Sequence, residues 1–374
     1  MRKIIFVIIC FFAVNGIFAQ QTFTNPLLPS GADPWVIQKD GYYYYTNTTG
    51  RNVTLWKTRD ITNLKNSEKK IVWVPPKQGA YSKEIWAPEI HFIYGKWYIY
   101  FAADSGRNED HRLYVIENSS EDPLQGNWVM KGELKTPKRK WAIDGSVFEN
   151  KGKLYLIWSG WEGDVNGEQN IYIAKMKNPW TVKGRRRLLS SPYYDWEKNG
   201  DLNNPNDVHH VNVNEGPQIL KHDDKLFLIY SASGCWTDTY ALGMLTTSSN
   251  SNLLKVNKWS KSDTPVFKQS IKNKVYAPGH NSFFKSSDGK EDFILYHANS
   301  EPGQGCGKHR SPRAQRFTWT ATGVPNFGEP VEEGVELPVP SGTNFNTNNN
   351  SVETKNIPVI LFNERRNHRV KHLF

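Results

Sequence analysis

One phrase written five times constrains this chain more than anything else in it. Each copy is a polar turn, often with Gly, followed by a short aromatic and β-branched run. The copies are Asp40-Gly41-Tyr42-Tyr43-Tyr44-Tyr45, Gly95-Lys96-Trp97-Tyr98-Ile99-Tyr100-Phe101, Gly152-Lys153-Leu154-Tyr155-Leu156-Ile157-Trp158, Asp224-Lys225-Leu226-Phe227-Leu228-Ile229-Tyr230 and Glu291-Asp292-Phe293-Ile294-Leu295-Tyr296. Another short strand precedes each: Trp35-Val36-Ile37, Glu89-Ile90-His91-Phe92, Ser146-Val147-Phe148, Gln218-Ile219-Leu220 and Ser282-Phe283-Phe284. Strand, polar turn, strand is the pattern of a β-hairpin. The copies recur every ~55–70 residues, which leaves room for a four-stranded unit and its loops. Helical periodicity is weak, and 28 Gly and 21 Pro punctuate the chain too often for long helices. Five all-β units that cannot bury both faces alone predict an all-β fold, a five-bladed β-propeller. A large β-sandwich is the other architecture with regularly spaced hairpins.

The ends differ from this repeat. Arg2 and Lys3 precede an apolar run, Ile4 to Val14, and Ile17-Phe18-Ala19 before Gln20 is a cleavage-site pattern. Residues 1–19 therefore read as a secretory signal, with an uncleaved anchor as the alternative. The run is shorter than the roughly 20 residues a membrane span needs. Cys10 lacks the small residues before it that a lipid anchor would require. At the other end, residues 341–351 are rich in Asn, Thr and Gly, and residues 355–374 carry five positive charges against one negative. The expected organisation is a signal at 1–19, a catalytic propeller at 20–335 and a disordered, polar then basic tail at 336–374.

That division decides how to read the charge. The net +10 of the 374 residues invites a nucleic-acid or membrane partner. Removing Arg2, Lys3 and the tail's excess leaves +4, ordinary for a domain of this size. No nucleic-acid partner and, after signal cleavage, no membrane partner is expected; the mature protein should be an exported monomer, periplasmic or extracellular. The 14 Trp, 17 Tyr and 18 Phe exclude disorder over most of the chain. Three Cys make no disulfide scaffold and no zinc spacing. Cys235 and Cys306 follow the second strands of repeats four and five, either as a disulfide or as packed thiols.

Chemistry enters just upstream of each first strand. The repeats open with Ala32-Asp33-Pro34-Trp35, Trp86-Ala87-Pro88-Glu89, Ile143-Asp144-Gly145-Ser146, Asn214-Glu215-Gly216-Pro217 and Pro278-Gly279-His280-Asn281. In a propeller the first strand of each blade lines the central axis, so these openings converge on one end of the channel. Singly, Asp-Pro and Asp-Gly are common turn dipeptides. Together, Asp33, Asp144 and Glu215 would crowd one cavity, where at least one carboxyl pKa should rise. A protonated carboxyl beside an ionised one is what glycoside hydrolysis requires.

These ordered openings, with Gly279-His280-Asn281-Ser282, resemble glycoside hydrolase family 43 from Asn25 to about Pro330. The resemblance implies an inverting hydrolase in which Asp33 is the general base, Asp144 tunes the acid's pKa and Glu215 is the general acid. It places His280 at the axis, holding either ordered waters or a structural metal such as calcium; no cofactor is otherwise required. Arg313 resembles a late arginine reaching the substrate, with Arg310 and Arg316 as neighbours that leave the register open. Within the family, Glu84 to His91, Val213 to Pro217 and Ser231 to Trp236 look most like exo-acting α-L-arabinofuranosidases. Trp86 is the candidate sugar-stacking wall, or else inter-blade core, while Trp161 and Trp236 are candidates for the pocket rim. The inserts Glu162 to Gln169 and Tyr193 to His210 are long enough to close one side of a cleft. The implied substrate is a plant cell-wall polysaccharide or oligosaccharide such as arabinan or arabinoxylan. A β-xylosidase, an endo-arabinanase and a sugar-binding propeller without catalysis are the alternatives. A fructan-acting relative is disfavoured, because its Asn-Asp-Pro-Asn-Gly opening and Glu-Cys motif are absent.

Overall fold

The computed structural model describes residues 21–200 and 211–343. The expected signal and the residues beyond 343 lie outside this range. Five four-stranded antiparallel units follow one another along the chain, as the repeat predicts. Blade 1 comprises Trp35–Lys39, Tyr42–Thr46, Val53–Thr58 and Glu68–Trp73, and blade 2 Lys83–Ile93, Lys96–Asp104, Arg112–Asn118 and Val129–Glu133. Blade 3 comprises Ala142–Asn150, Lys153–Trp161, Glu168–Asn178 and Thr181–Ser190. Blade 4 comprises Asn212–His222, Lys225–Ala232, Ala241–Ser248 and Ser260–Lys261, and blade 5 Tyr276–Lys285, Asp292–Asn299, Ser311–Trp319 and Pro325–Asn326. Blades 3 and 4 are joined by a short parallel pairing, Glu168 with Asn212 and Gln169 with Val213.

The repeated phrase is each blade's second strand, and its composition follows from its position. Successive side chains of a strand point to opposite faces. In blade 1, Tyr43 and Tyr45 pack with Phe284, Phe293 and Leu295 of blade 5, whereas Tyr44 between them packs with Ile90, Trp97 and Ile99 of blade 2. In blade 2, Tyr98, Tyr100 and Ala102 face Val147, Leu156 and Trp158 of blade 3. Tyr155 and Ile157 then meet Leu226, Leu228 and Tyr230 of blade 4, and Phe227 and Ile229 meet Ile294 and Tyr296 of blade 5. Five inter-blade cores close a ring of five sheets. A strand buried on both faces reads as an unbroken apolar run, which is why these phrases do not alternate with polar residues.

The ring is fastened by a segment the repeat does not reveal. Thr22–Thr24 pairs antiparallel with Glu336–Pro338. Asn25 then grips blade 5 through both ends of its amide: Nδ2 donates to the Ala314 carbonyl and Oδ1 accepts from the Ala314 N–H, each at 2.9 Å. Glu336–Pro338 therefore belongs to the propeller and not to the tail expected from residue 336 onward. Composition missed it because a three-residue strand carries no periodicity of its own.

The topology also sets which end carries chemistry. First strands start, second strands finish and third strands start at the same end of the ring. At that end each inner strand has a left-handed residue at one shared phase, in the strand or just ahead of it: Asp33 (φ 56°), Ala87 (φ 42°), Asp144 (φ 53°), Gly216 (φ 54°) and His280 (φ 47°), with Glu84 and Ala277 as a second such residue three positions earlier in blades 2 and 5. Four of the five at the shared phase are not glycine, so strained backbone repeats at one phase of all five blades. In blades 2 to 5 it coincides with a register shift against the second strand. Such a bulge re-aims a side chain toward the axis. Glu215 sits one residue ahead of this phase.

Candidate active site

The strained residues open into a cavity of about 450 Å³ whose lining includes Asp33, Asp144, Glu215 and His280. The three carboxyl groups share a space but have different surroundings. Asp33 Oδ1 accepts from Arg310 Nη1 at 3.0 Å and lies 3.3 Å from His280 Nδ1, and its Oδ2 accepts from the Thr48 hydroxyl at 2.6 Å. Burial alone would raise its pKa. The Arg310 guanidinium, with His280 and the Thr48 hydroxyl, overrides burial and holds the carboxyl well below the usual carboxylate range. Asp33 is thus an anion at every pH of interest.

Asp144 and Glu215 move the other way. Asp144 has one strong donor, the Gly216 N–H at 2.9 Å from Oδ2. Burial pushes it up to about 6, overriding the opposing charge of His280, and the negative charge of Asp33 adds a smaller push in the same direction. Glu215 Oε1 accepts from the Tyr240 hydroxyl at 2.8 Å. Burial and then the neighbouring Asp144 charge push Glu215 up to about 7. Near neutral pH the cavity therefore holds one fixed carboxylate and one carboxylic acid able to give up its proton. That pairing can activate water and protonate a leaving oxygen in one site.

The two histidines are shifted in opposite directions. Burial disfavours charge on His280, yet Asp33, Asp144 and Glu215 together raise its pKa. The Asp33 N–H donates to His297 Nδ1 at 3.1 Å, which requires that nitrogen to be unprotonated. Burial and the nearby Arg310 hold His297 neutral. His297 then backs Tyr240, whose ring stacks on it with centroids 5.8 Å apart at 4°.

The donors around His280 do not fit a metal. Its Nδ1 is turned to Asp33, and both oxygens of Glu89 beneath it are already taken, by His91 and by Gln218. Asn281 has both amide atoms buried without a partner. An imidazole turned to a carboxylate and a glutamate with both oxygens engaged leave too few free oxygens for calcium, which takes six to eight oxygen ligands, and the unpartnered amide suits ordered water. Among the described residues no group of three or more His, Cys, Asp or Glu side chains is arranged for a metal.

Aromatic walls complete the cavity. Trp86 is half-buried, with one face stacked on His111 (centroids 4.0 Å, 26°); His111 Nδ1 in turn lies 3.3 Å from Asp104. Trp161 and Trp236 both reach the lining, and Trp161 is stacked on Trp141 at 4.7 Å and 10°. The insert after Trp161 contributes Asn166 and Gln169 to the lining; the second insert is described only to residue 200. Cys235 and Cys306 form a disulfide that ties the rim loop bearing Trp236 to the loop leading to Arg310.

Arg313, expected at the pocket, is not there. Its side chain is fully buried and donates to Ser300 Oγ (2.7 Å) and Glu333 Oε2 (3.3 Å). Arg310 takes the pocket position, because it lies at the start of the third strand and Arg313 sits about 10 Å further along it, at ~3.3 Å per residue. His297, Thr48, Tyr240 and Trp141 were also missed. Only His297 left a trace, as a lone His continuing an apolar strand phrase.

Gly279 shows how closely this arrangement is packed. A Cβ there would lie 2.1 Å from Tyr240 Cε1, inside a ring held by His297 and Glu215. Gly279→Ala should therefore displace the Tyr240 hydroxyl from Glu215. We expect a folded protein with kcat reduced about 10²-fold, the scale of a 1 Å misplacement; steady-state kinetics beside circular dichroism checks this.

Comparison with known proteins places this cavity in context. The family model described as Glycosyl hydrolases family 43 matches residues 23–325. The chain is 40% identical over 323 residues to an extracellular exo-α-(1→5)-L-arabinofuranosidase of Streptomyces avermitilis, covering 84% of this chain and 65% of that protein. A protein of the same description from Streptomyces chartreusis is 38% identical, over 74% of this chain and 82% of its own length. The crystal structure of an α-L-arabinofuranosidase from Lactobacillus brevis superposes with a TM-score of 0.76 at 37% identity, covering 84% of this chain and 98% of that one. Since the matched region takes in Asp33, Asp144 and Glu215 and reaches into all five blades, the chain belongs to glycosyl hydrolases family 43.

Proposed function

We propose that the chain is an exported α-L-arabinofuranosidase that removes terminal arabinofuranosyl residues from plant polysaccharides with inversion. The observation that carries this is the split between Asp33, held ionised by Arg310, and Glu215, held protonated by burial and Asp144. Asp33 orients a water and accepts its proton as the water oxygen bonds to the anomeric carbon. Its low basicity is tolerable because that water becomes acidic only as the bond forms. Glu215 gives its proton to the departing glycosidic oxygen as the C–O bond breaks. Asp144 keeps Glu215 protonated, and His280 and Arg310 hold Asp33 in place. Walls contributed by Trp86, Trp161 and Trp236 favour a pocket for one terminal sugar, and the arabinofuranosidase names of the relatives favour arabinose.

NMR of the first-formed sugar from an aryl α-L-arabinofuranoside tests the mechanism. The β anomer is expected, and an α product would overturn inversion. Release of free arabinose, without oligosaccharides, from branched and debranched arabinan checks exo action on arabinose.

A further inference from the structure

At the end of the ring opposite the catalytic cavity lies a second cleft, of about 470 Å³, beside the third and fourth strands of blade 3. Its lining carries six cations, Lys153, Lys175, Lys177, Lys183, Arg185 and Arg187, and no acidic residue. None of the six pairs with a described carboxylate, whereas the other surface of the same hairpin uses its charge structurally. There Arg186 bonds the Trp161 carbonyl at 2.9 Å and Glu162 Oε2 at 2.8 Å, and lies over Tyr172. Lys183, Arg185 and Arg187 all line the cleft, across a register shift against the third strand that leaves Gly184 left-handed (φ 84°) between the first two. Lys175 and Lys183 are direct cross-strand partners, a like-charge pairing that costs stability. Folding gains nothing from this arrangement. The cluster also exceeds the +4 left once signal and tail are removed, so the rest of the propeller is net negative and the positive field is local.

We infer that this cleft binds an anionic polysaccharide bearing uronate groups, holding the enzyme on its polymer while the opposite end of the ring works on neutral branches. Six cations in one cleft focus a positive potential that a chain of regularly spaced carboxylates meets one after another. Tyr94, 65% exposed at the adjacent hairpin of blade 2, offers a face for the CH groups of a sugar ring. The choice of a polysaccharide as occupant rests on the reading of the chain as an exported polysaccharide hydrolase.

Affinity electrophoresis of the full chain through gels containing polygalacturonate tests the site, with neutral arabinan and double-stranded DNA in parallel gels. A Lys183→Glu/Arg185→Glu/Arg187→Glu variant carries the same tail, so any contribution of residues 355–374 cancels. Expected is retardation of the wild type by polygalacturonate and not by arabinan, declining with added salt. The variant should bind at least about tenfold more weakly, with unchanged kcat/KM on an aryl α-L-arabinofuranoside and an unchanged or higher Tm. Equal retardation of the variant would overturn the proposal. So would DNA retarding the wild type as strongly as polygalacturonate, since the cleft would then be a general polyanion surface. Absence of aryl-arabinofuranoside turnover by the wild type would instead remove the functional reading while leaving the gel result to stand.

Discussion

Replacing Glu215 by Gln should cost about 10²–10⁴-fold in kcat on substrates with poor leaving groups, the range of general acid catalysis. Gln keeps the shape and can still meet the Tyr240 hydroxyl, but it has no proton to give. The loss should shrink as the leaving group becomes more acidic. A 2,4-dinitrophenyl arabinofuranoside departs as a stable anion and needs little protonation, whereas an arabinan linkage needs it fully. Comparing kcat across a series of aryl leaving groups separates this role from a positional one, because a variant that merely distorts the cavity would lose activity evenly.

The same substitution has a pH signature. With Asp33 ionised throughout, kcat/KM of the wild type should stay level on the acid side and fall about tenfold per pH unit above about 7, as Glu215 loses its proton. That alkaline limb should be absent in the Glu215→Gln variant. The substitution should act on stability in the opposite sense to activity, although both fall with rising pH in the wild type. The folded-state pKa of Glu215 is raised from 4.5, so the stability linked to its protonated form is complete below about 4.5 and lost as pH rises through about 7. Glu215→Gln should therefore leave Tm unchanged at pH 4 and raise it at pH 8, by a free energy on the order of 1–3 kcal/mol. A neutral amide removes the buried charge that the wild type must carry at alkaline pH.

How much of this was legible beforehand follows from how far each feature depends on register. The blades could be read because a strand buried on both faces must be apolar at every position, as Tyr42 to Tyr45 and Trp97 to Phe101 are. The carboxylates could be read because the inner strands begin at one phase of the repeat, so Asp33, Asp144 and Glu215 converge whatever the exact strand boundaries. Arg310 and Arg313 could not be separated the same way. Both follow blade 5's second strand within a short interval, and only the start of the third strand decides which one reaches the axis. Tyr240 and Thr48 are further removed still: each acts through a contact with a residue on an inner strand, and neither its type nor its spacing marks it. The Thr22–Thr24 and Glu336–Pro338 pairing joins the two ends of the described propeller, a contact that no local pattern encodes.

Asp33→Asn should be the complementary case, losing activity and stability together. Activity should fall about 10²–10⁴-fold because the amide cannot take a proton from water. Unlike the Glu215 variant, this loss should be the same for good and poor leaving groups, since every substrate needs the water. The stability argument turns on the same neighbours that keep Asp33 ionised. A depressed folded-state pKa contributes stability that is present above the ordinary value of 3.8 and lost as pH falls through the folded value. Asn forfeits that contribution at neutral pH and leaves Arg310 and His280 buried without their shared anion. Breaking a buried pair by removing one partner costs about 3–5 kcal/mol. Some of this should be recovered as His280, no longer held by Asp33, gives up its charge. The variant's Tm deficit should thus be largest near pH 6 and smaller near pH 8, where a neutral His280 costs little. Tm profiles of the two variants would then diverge at neutral and alkaline pH: the acid variant above the wild type, the base variant below it. Two substitutions that both slow turnover would be told apart by stability as well as by leaving-group dependence, and the base variant's share of that difference follows from one guanidinium lying 3.0 Å from Asp33.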